Sequence, residues 1–182
     1  MVRTALYLAS GLVLGLFIHL IVILTLPALA SNDIFVRISA LDAKAKILLL
    51  DTPAPGTPNP LRLDPDLSYA VCQLDLADGP GVLRGTLPLA FWSVAVFDRS
   101  GTVIYSTTNR DGIGQTIDVG IFNPAQTSLL AEQKIDIEPG LLIVESPRDE
   151  VFVVVRLAPP QLAMQPRYAE QIKKLACGNI KV

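Results

Sequence analysis

Residues 70–76 read Ala70-Val71-Cys72-Gln73-Leu74-Asp75-Leu76, and their period decides the fold. Ala70, Cys72, Leu74 and Leu76 lie two apart, while Gln73 and Asp75 take the alternate positions. Successive side chains of a strand point to opposite faces, so this stretch predicts a half-buried strand with one apolar face. C-terminal to it the same grammar repeats. Gly79-Pro80-Gly81 predicts a turn, Val82 to Leu87 a second strand and Phe91 to Phe97 a third. Asp98-Arg99-Ser100-Gly101 is a hairpin signal leading into a strand over Thr102 to Ser106. Asn109-Arg110-Asp111-Gly112 marks another turn before Gln115 to Phe122. Asn123-Pro124 supplies an N-cap and a proline at the first helical position, so a short helix is expected to about Glu132. Leu141 to Glu145 and Val151 to Arg156 return to strand. The latter run is apolar on both faces, as in the central strand of a covered sheet. Pro159-Pro160 ends it, and Tyr168 to Cys177 predicts a closing helix. Seven short strands separated by frequent turns predict an antiparallel β-sandwich with a few peripheral helices.

N-terminal to the quoted stretch the period changes. Asp51 to Pro60 carries four prolines, which fix φ and remove backbone donors, so an extended linker is expected. Between Ser31 and about Leu50, the positions Ile34, Phe35, Ile38, Leu41, Ala45 and Leu48 recur on one helical face, with Ser31 or Asn32 as cap. That amphipathic helix could continue a membrane span, dock on the domain or lie on the membrane. The chain thus divides into a membrane anchor or signal segment over 1–30, the helix and proline-rich linker over 31–60, and the sandwich over 61–182.

Ala5 to Leu26 is a run of 22 residues without a formal charge, fourteen of them Leu, Ile, Val or Phe. As a helix it reaches about 33 Å, enough for a hydrocarbon core of ~30 Å. Those fourteen side chains contribute roughly −4 to −8 kcal/mol toward insertion. Ala28-Leu29-Ala30 fits the small-x-small signature of signal cleavage, but the apolar run exceeds the ~7–15 residues of a signal peptide. The length favours a retained signal anchor over a cleaved leader. Arg3 precedes the run and Arg37, Lys44 and Lys46 follow it, so positive charge does not set the orientation. Gly11, Gly15 and His19, each four residues apart, form one stripe that could pack against a second helix. Small pairs also arise in membrane helices by chance. His19, the only histidine, reads as a helix-contact residue more readily than as a proton relay, because no second ionisable group accompanies it in the span.

The net charge of −2 and a pI near 5.3 offer no basic surface for nucleic acid. Cys72 and Cys177, the only two cysteines, are too far apart in sequence for a zinc or CxxC motif. Behind an export-like N-terminus they suggest one disulfide, with two unrelated thiols as the alternative.

Several of these pieces together resemble the bacterial family called domain of unknown function 1254. They are Asp64-Pro65, the stretch from Ala70 to Leu76, Gly79-Pro80, Trp92-Ser93, Phe97-Asp98, Gly101, Tyr105-Ser106, Asn109-Arg110, Pro124-Ala125-Gln126, Phe152 to Arg156 and Cys177. The resemblance implies a β-sandwich. It is to the short, membrane-anchored members, often encoded beside a protein of the 1214 family. It therefore implies a cell-envelope location and a 1214-family partner. The family has no assigned reaction and carries over no catalytic residue.

The residues themselves offer little chemistry. With no histidine after His19, Ser-His-Asp and Cys-His catalysis are excluded there, as are most zinc or iron sites. No cofactor motif is present. Asp64, Asp66, Asp98, Asp111 and Asp118 could pair for glycoside hydrolysis, but aspartate is also the ordinary turn residue. Asp98 with Ser100, or Asn109 with Asp111, could offer oxygens to calcium, though no EF-hand loop surrounds them. Trp92 and Tyr105 could form a sugar platform but fit cross-strand packing better. Arg110, at a turn, is the best single candidate for an exposed ligand contact, with a surface salt bridge as its ordinary alternative. The expectation is a single-pass protein of the bacterial inner membrane, with a periplasmic domain acting as a non-enzymatic envelope assembly or interaction protein. Its partners would be the bilayer and a second copy or a 1214-family protein. The alternatives are a carbohydrate- or small-ligand-binding module and, more weakly, a carboxylate-based hydrolase. Signal cleavage and secretion is the alternative location.

Overall fold

A computed structural model describes residues 2–29, 34–111, 115–133 and 140–180. Among these residues nine strands form two sheets. The five-stranded sheet contains β1 (Leu48–Leu49), β2 (Ser68–Asp75), β4 (Phe91–Asp98), β5 (Val103–Thr108) and β8 (Glu150–Ala158), in the order β1-β2-β8-β4-β5. The four-stranded sheet contains β3 (Gly81–Thr86), β6 (Thr116–Phe122), β7 (Leu142–Glu145) and β9 (Ala176–Asn179), in the order β7-β6-β3-β9. All pairs are antiparallel except β6 with β7. A parallel pair needs a crossover connection, and helix α3 (Pro124–Gln133) lies in it.

The alternation read from the sequence builds the core. Ala70, Cys72 and Leu74 of β2, Trp92, Val94 and Val96 of β4, and Val151, Val153, Val155 and Leu157 of β8 are buried against Leu83, Ile117, Val119 and Ile121 of the facing sheet. β8, apolar on both faces, sits between β2 and β4 at the centre of its sheet, as expected. The cap of α3 also forms as expected. Asn123 Oδ1 accepts from the Gln126 N–H at 2.9 Å, and Gln126 Oε1 accepts from the Asn123 N–H at 3.0 Å.

Two helix expectations are corrected, and both corrections come from strand edges. The helix expected over 31–50 is α2 (Ile34–Ser39), only six residues long; residues 31–33 lie outside the described residues. Beyond it the chain becomes extended, because the open edge of β2 offers backbone groups that need partners. Gln73 N donates to Ala43 O at 2.9 Å, Ala45 N to Gln73 O at 2.8 Å, and Leu48–Leu49 pair with Val71 and Ala70. At the other end, the helix expected over 168–177 is α4 (Gln165–Ile172), and Ala176–Asn179 is instead β9, taken up by the open edge of β3. These two edge strands raise the expected seven to nine.

Cys72 and Cys177 are bonded, 105 positions apart with Cα atoms at 6.5 Å. The bond ties β2 of one sheet to β9 of the other. N-terminal to the domain, α1 (Val2–Leu29) is a single helix whose segment Val2–Leu26 is long and apolar enough to cross a membrane. Two of its hydroxyls bond to the helix's own backbone: Ser10 Oγ donates to Tyr7 O at 3.0 Å and Thr25 Oγ1 to Ile21 O at 2.8 Å.

Candidate functional site

The outer face of the five-stranded sheet carries a concave site. Residues paired across β2, β8 and β4 make three successive rows on it. The first is Gln73, Phe152 and Phe97; the second is Val71, Val154 and Ala95; the third is Tyr69, Arg156 and Ser93. Polarity therefore rises along β8 from Phe152 through Val154 to Arg156.

Segment 34–63 crosses this face. Phe35 and Ile38, one helical turn apart, are the buried residues of α2 and pack with Phe152. Burying such side chains stabilises by roughly 1.5–3 kcal/mol each. The Phe97 and Phe152 rings stack with centroids 5.0 Å apart, Phe35 tilts onto Phe152 at 6.2 Å, and the Arg99 guanidinium lies 5.6 Å from the Phe35 ring. Arg37 donates to the Pro60 carbonyl and so ties α2 to the returning chain. Between them remains a cleft of about 320 Å³. Its floor is Val71, Phe97, Phe152 and Val154, and its walls include Ile38, Leu61 and Leu63. The polar lining groups are Tyr69, Arg62 and Arg156, and no carboxylate lines it among the described residues.

Arg62 adopts φ +52°, a region that non-glycine residues seldom enter. Asn59 holds the turn: its side chain donates to Leu63 O and accepts from Leu63 N, both at 2.8 Å, and Arg62 N donates to Asn59 O at 3.1 Å. The Tyr69 hydroxyl accepts the Asp64 N–H at 3.3 Å, which leaves its own proton free to donate. Neither guanidinium, of Arg62 or of Arg156, has an ion pair or hydrogen bond among the described residues.

The residues singled out from sequence are placed elsewhere. Asp64 Oδ1 accepts the Asp66 N–H at 2.9 Å, Asp111 Oδ2 accepts the Thr108 hydroxyl at 2.8 Å, and Asp118 pairs with Arg84 at 2.8 Å across β6 and β3. Asp98 closes the β4–β5 hairpin, accepting Ser100 Oγ at 2.6 Å and Thr102 N at 2.9 Å, with Arg148 at 3.8 Å. Burial opposes its charged form, but these hydrogen bonds, one from Ser100 N–H and the nearby guanidinium outweigh that and hold its carboxyl below the usual range. No cluster of three metal-ligating side chains occurs among the described residues. Trp92 is 2% exposed and belongs to the core, which removes it as a sugar platform; Tyr105 packs against the same core. Arg110 is exposed, its side chain pairs with no described residue, and it does not line the cleft. A Cβ built on Gly11 or Gly15 meets nothing within 4 Å, and His19 is exposed on the same helix.

Sequence reasoning missed Arg62, Tyr69 and the cleft role of Arg156. The one available signal was the two-sided apolar run of β8 ending in an arginine, which implied that something covers the second face.

Residues 46–175 match the family model described as protein of unknown function (DUF1254). The chain belongs to the DUF1254 family. Tyr69, Arg62 and Arg156 fall within the matched residues, whereas α1 and α2 lie before them. Among solved structures, the VPA0106 protein from Vibrio parahaemolyticus is similar at 10% identity and a TM-score of 0.52. The similarity covers 65% of this chain and 29% of that one, so it bears on the fold alone. No curated protein matches the chain.

Proposed function

We propose that this DUF1254 chain is a non-enzymatic assembly or interaction protein of the bacterial cell envelope. In this reading α1 is retained in the inner membrane and the sandwich lies in the periplasm. The observation that carries it is the Cys72–Cys177 bond between the two sheets, downstream of a helix long enough to span a bilayer. Structural disulfides persist in oxidising compartments and are rare in the cytosol. The engagement of Asp64, Asp98, Asp111 and Asp118 in turns and cross-strand pairs supports a domain that binds rather than one that turns over substrate. A 1214-family protein is the proposed partner, and the open Gly11, Gly15 and His19 face is the proposed contact for a second copy.

The test has two arms. A C-terminal alkaline phosphatase fusion is expected to be active, and a 1214-family protein is expected to co-purify in stoichiometric amount from membranes in mild detergent. An inactive phosphatase fusion beside an active β-galactosidase fusion overturns the periplasmic placement. A second reading, a small-ligand-binding module, is favoured by the cleft on the outer sheet face. Its carbohydrate form is not supported, because Trp92 is inside the core.

A further inference from the structure

We propose that the cleft between α2 and the outer face of the five-stranded sheet takes a single-chain anionic amphiphile from the bilayer, such as a fatty acid. The chain would lie along Phe152 and Val154, and the anionic head would meet Arg156, Arg62 and Tyr69. This rests on the second reading above, in which the cleft is a ligand site, and it is independent of whether the domain also docks a partner protein.

Four observations converge on it. First, polarity is graded along one line, from the stacked Phe97 and Phe152 through the Val71 and Val154 row to the Tyr69 and Arg156 row. A ligand matching that gradient is apolar at one end and polar at the other. Second, the polar end offers donors: two guanidiniums without a partner among the described residues and a hydroxyl whose oxygen is already engaged by Asp64 N–H. With two guanidiniums and no carboxylate among the described lining residues, the complementary group is an anion, and guanidinium recognises carboxylate and phosphate with paired hydrogen bonds. Third, Arg62 holds a left-handed backbone conformation that Asn59 clamps in place, although its own side chain makes no hydrogen bond or ion pair among the described residues. Backbone strain of this kind is concentrated at ligand clamps. Fourth, Ile34 of the cleft wall follows Leu29, the last residue of α1, by five positions. A chain that long spans at most about 18 Å, so the α2 side of the cleft stays near the membrane surface if α1 is inserted. Ile34 and Val36 are 39% and 48% exposed, apolar area suited to that setting. The volume, about 320 Å³, falls at the small end of ligand cavities and suits one chain rather than two.

The experiment uses the full-length protein in nanodiscs of a neutral phospholipid doped with a photoreactive diazirine fatty acid, with crosslinked residues mapped by mass spectrometry. The matched diazirine fatty alcohol is the uncharged comparison. The acid is expected to label β8 and residues 61–63, and excess oleate is expected to compete. Combining Arg62→Gln with Arg156→Gln should lower labelling by the acid about tenfold, as for loss of charge-assisted contacts, and leave labelling by the alcohol unchanged. Val154→Trp should fill the cleft and remove both signals. Unchanged Trp92 fluorescence confirms that the arginine variants are folded, and an unchanged far-UV circular dichroism spectrum does so for Val154→Trp, which adds a second tryptophan. If acid and alcohol label the cleft equally and the arginine variants change nothing, the anionic assignment falls while the cleft remains a ligand site. If labelling is confined to α1 in every protein, the ligand-site reading falls as well.

Discussion

Breaking the Cys72–Cys177 bond should cost about as much as truncating a large buried core side chain, and the cost follows from the chain length that the bond closes. The two cysteines are 105 positions apart. In the chain-entropy account a loop of about 100 residues is worth up to about 4.7 kcal/mol, and native disulfides commonly deliver roughly 2–5 kcal/mol. For a domain of this size each kcal/mol moves the midpoint by about 3 °C, so reduction should lower it by roughly 6–15 °C. Trp92, the only tryptophan and almost fully buried, reports unfolding by fluorescence. The comparison is oxidised protein, reduced protein and the Cys72→Ala/Cys177→Ala variant, each full-length in detergent and titrated with urea. Because the bond acts mainly on the unfolded chain, its loss should also raise the urea dependence, since the released chain exposes more surface. The local effect should fall on β9, a four-residue strand at the edge of its sheet, whose amides at 176–179 should exchange faster. An unchanged midpoint and unchanged urea dependence on reduction would refute this reasoning and leave packing as the sole tie between the sheets.

Gly79→Ala should destabilise by at least about 1–3 kcal/mol, because φ is +128° there and a Cβ would stand 2.5 Å from the Ile180 carbonyl oxygen; a midpoint within 1 °C of wild type would contradict the geometry. Asp98 has a lowered carboxyl pKa, so its contribution is complete above the unfolded value of about 3.9 and is lost as pH falls through the lower folded value. Asp98→Asn should therefore flatten the acid limb of the stability profile below about pH 4, and an identical limb in both proteins would remove Asp98 from the account. A Cβ at Gly15 meets no described atom within 4 Å, so Gly15→Leu should leave the domain midpoint unmoved, while self-association of the anchored protein in mild detergent should weaken. If crosslinked dimer yield is the same in both, the glycine face plays no part in self-association.

Much of the sandwich was legible because strand burial has a period of two, which survives in sequence as Ala70, Cys72 and Leu74 or as Val151, Val153 and Val155. The cap at Asn123 was legible because it needs only residues three apart. What failed were the segments whose state is set by a distant edge. Residues 40–49 carry helical spacing yet pair with β2, and Ala176–Asn179 follow a helix yet pair with β3. Local periodicity cannot register an unpaired edge that lies far away in sequence. The cleft was illegible for a similar reason. Arg62, Tyr69 and Arg156 come from three separate segments, and only sheet register and the return of chain over the outer face bring them to one cavity.

By itself the sequence determined that an apolar helix of membrane length precedes a β-sandwich, since hydropathy and alternation are local properties written residue by residue. It also narrowed the chemistry, because the domain has no histidine. The tertiary structure decided which segments complete the sheet edges, that Cys72 meets Cys177 across the two sheets, and that Arg62 and Arg156 share an apolar cleft. Each of these depends on long-range contact, whose energy belongs to pairs of segments and is carried by neither one alone.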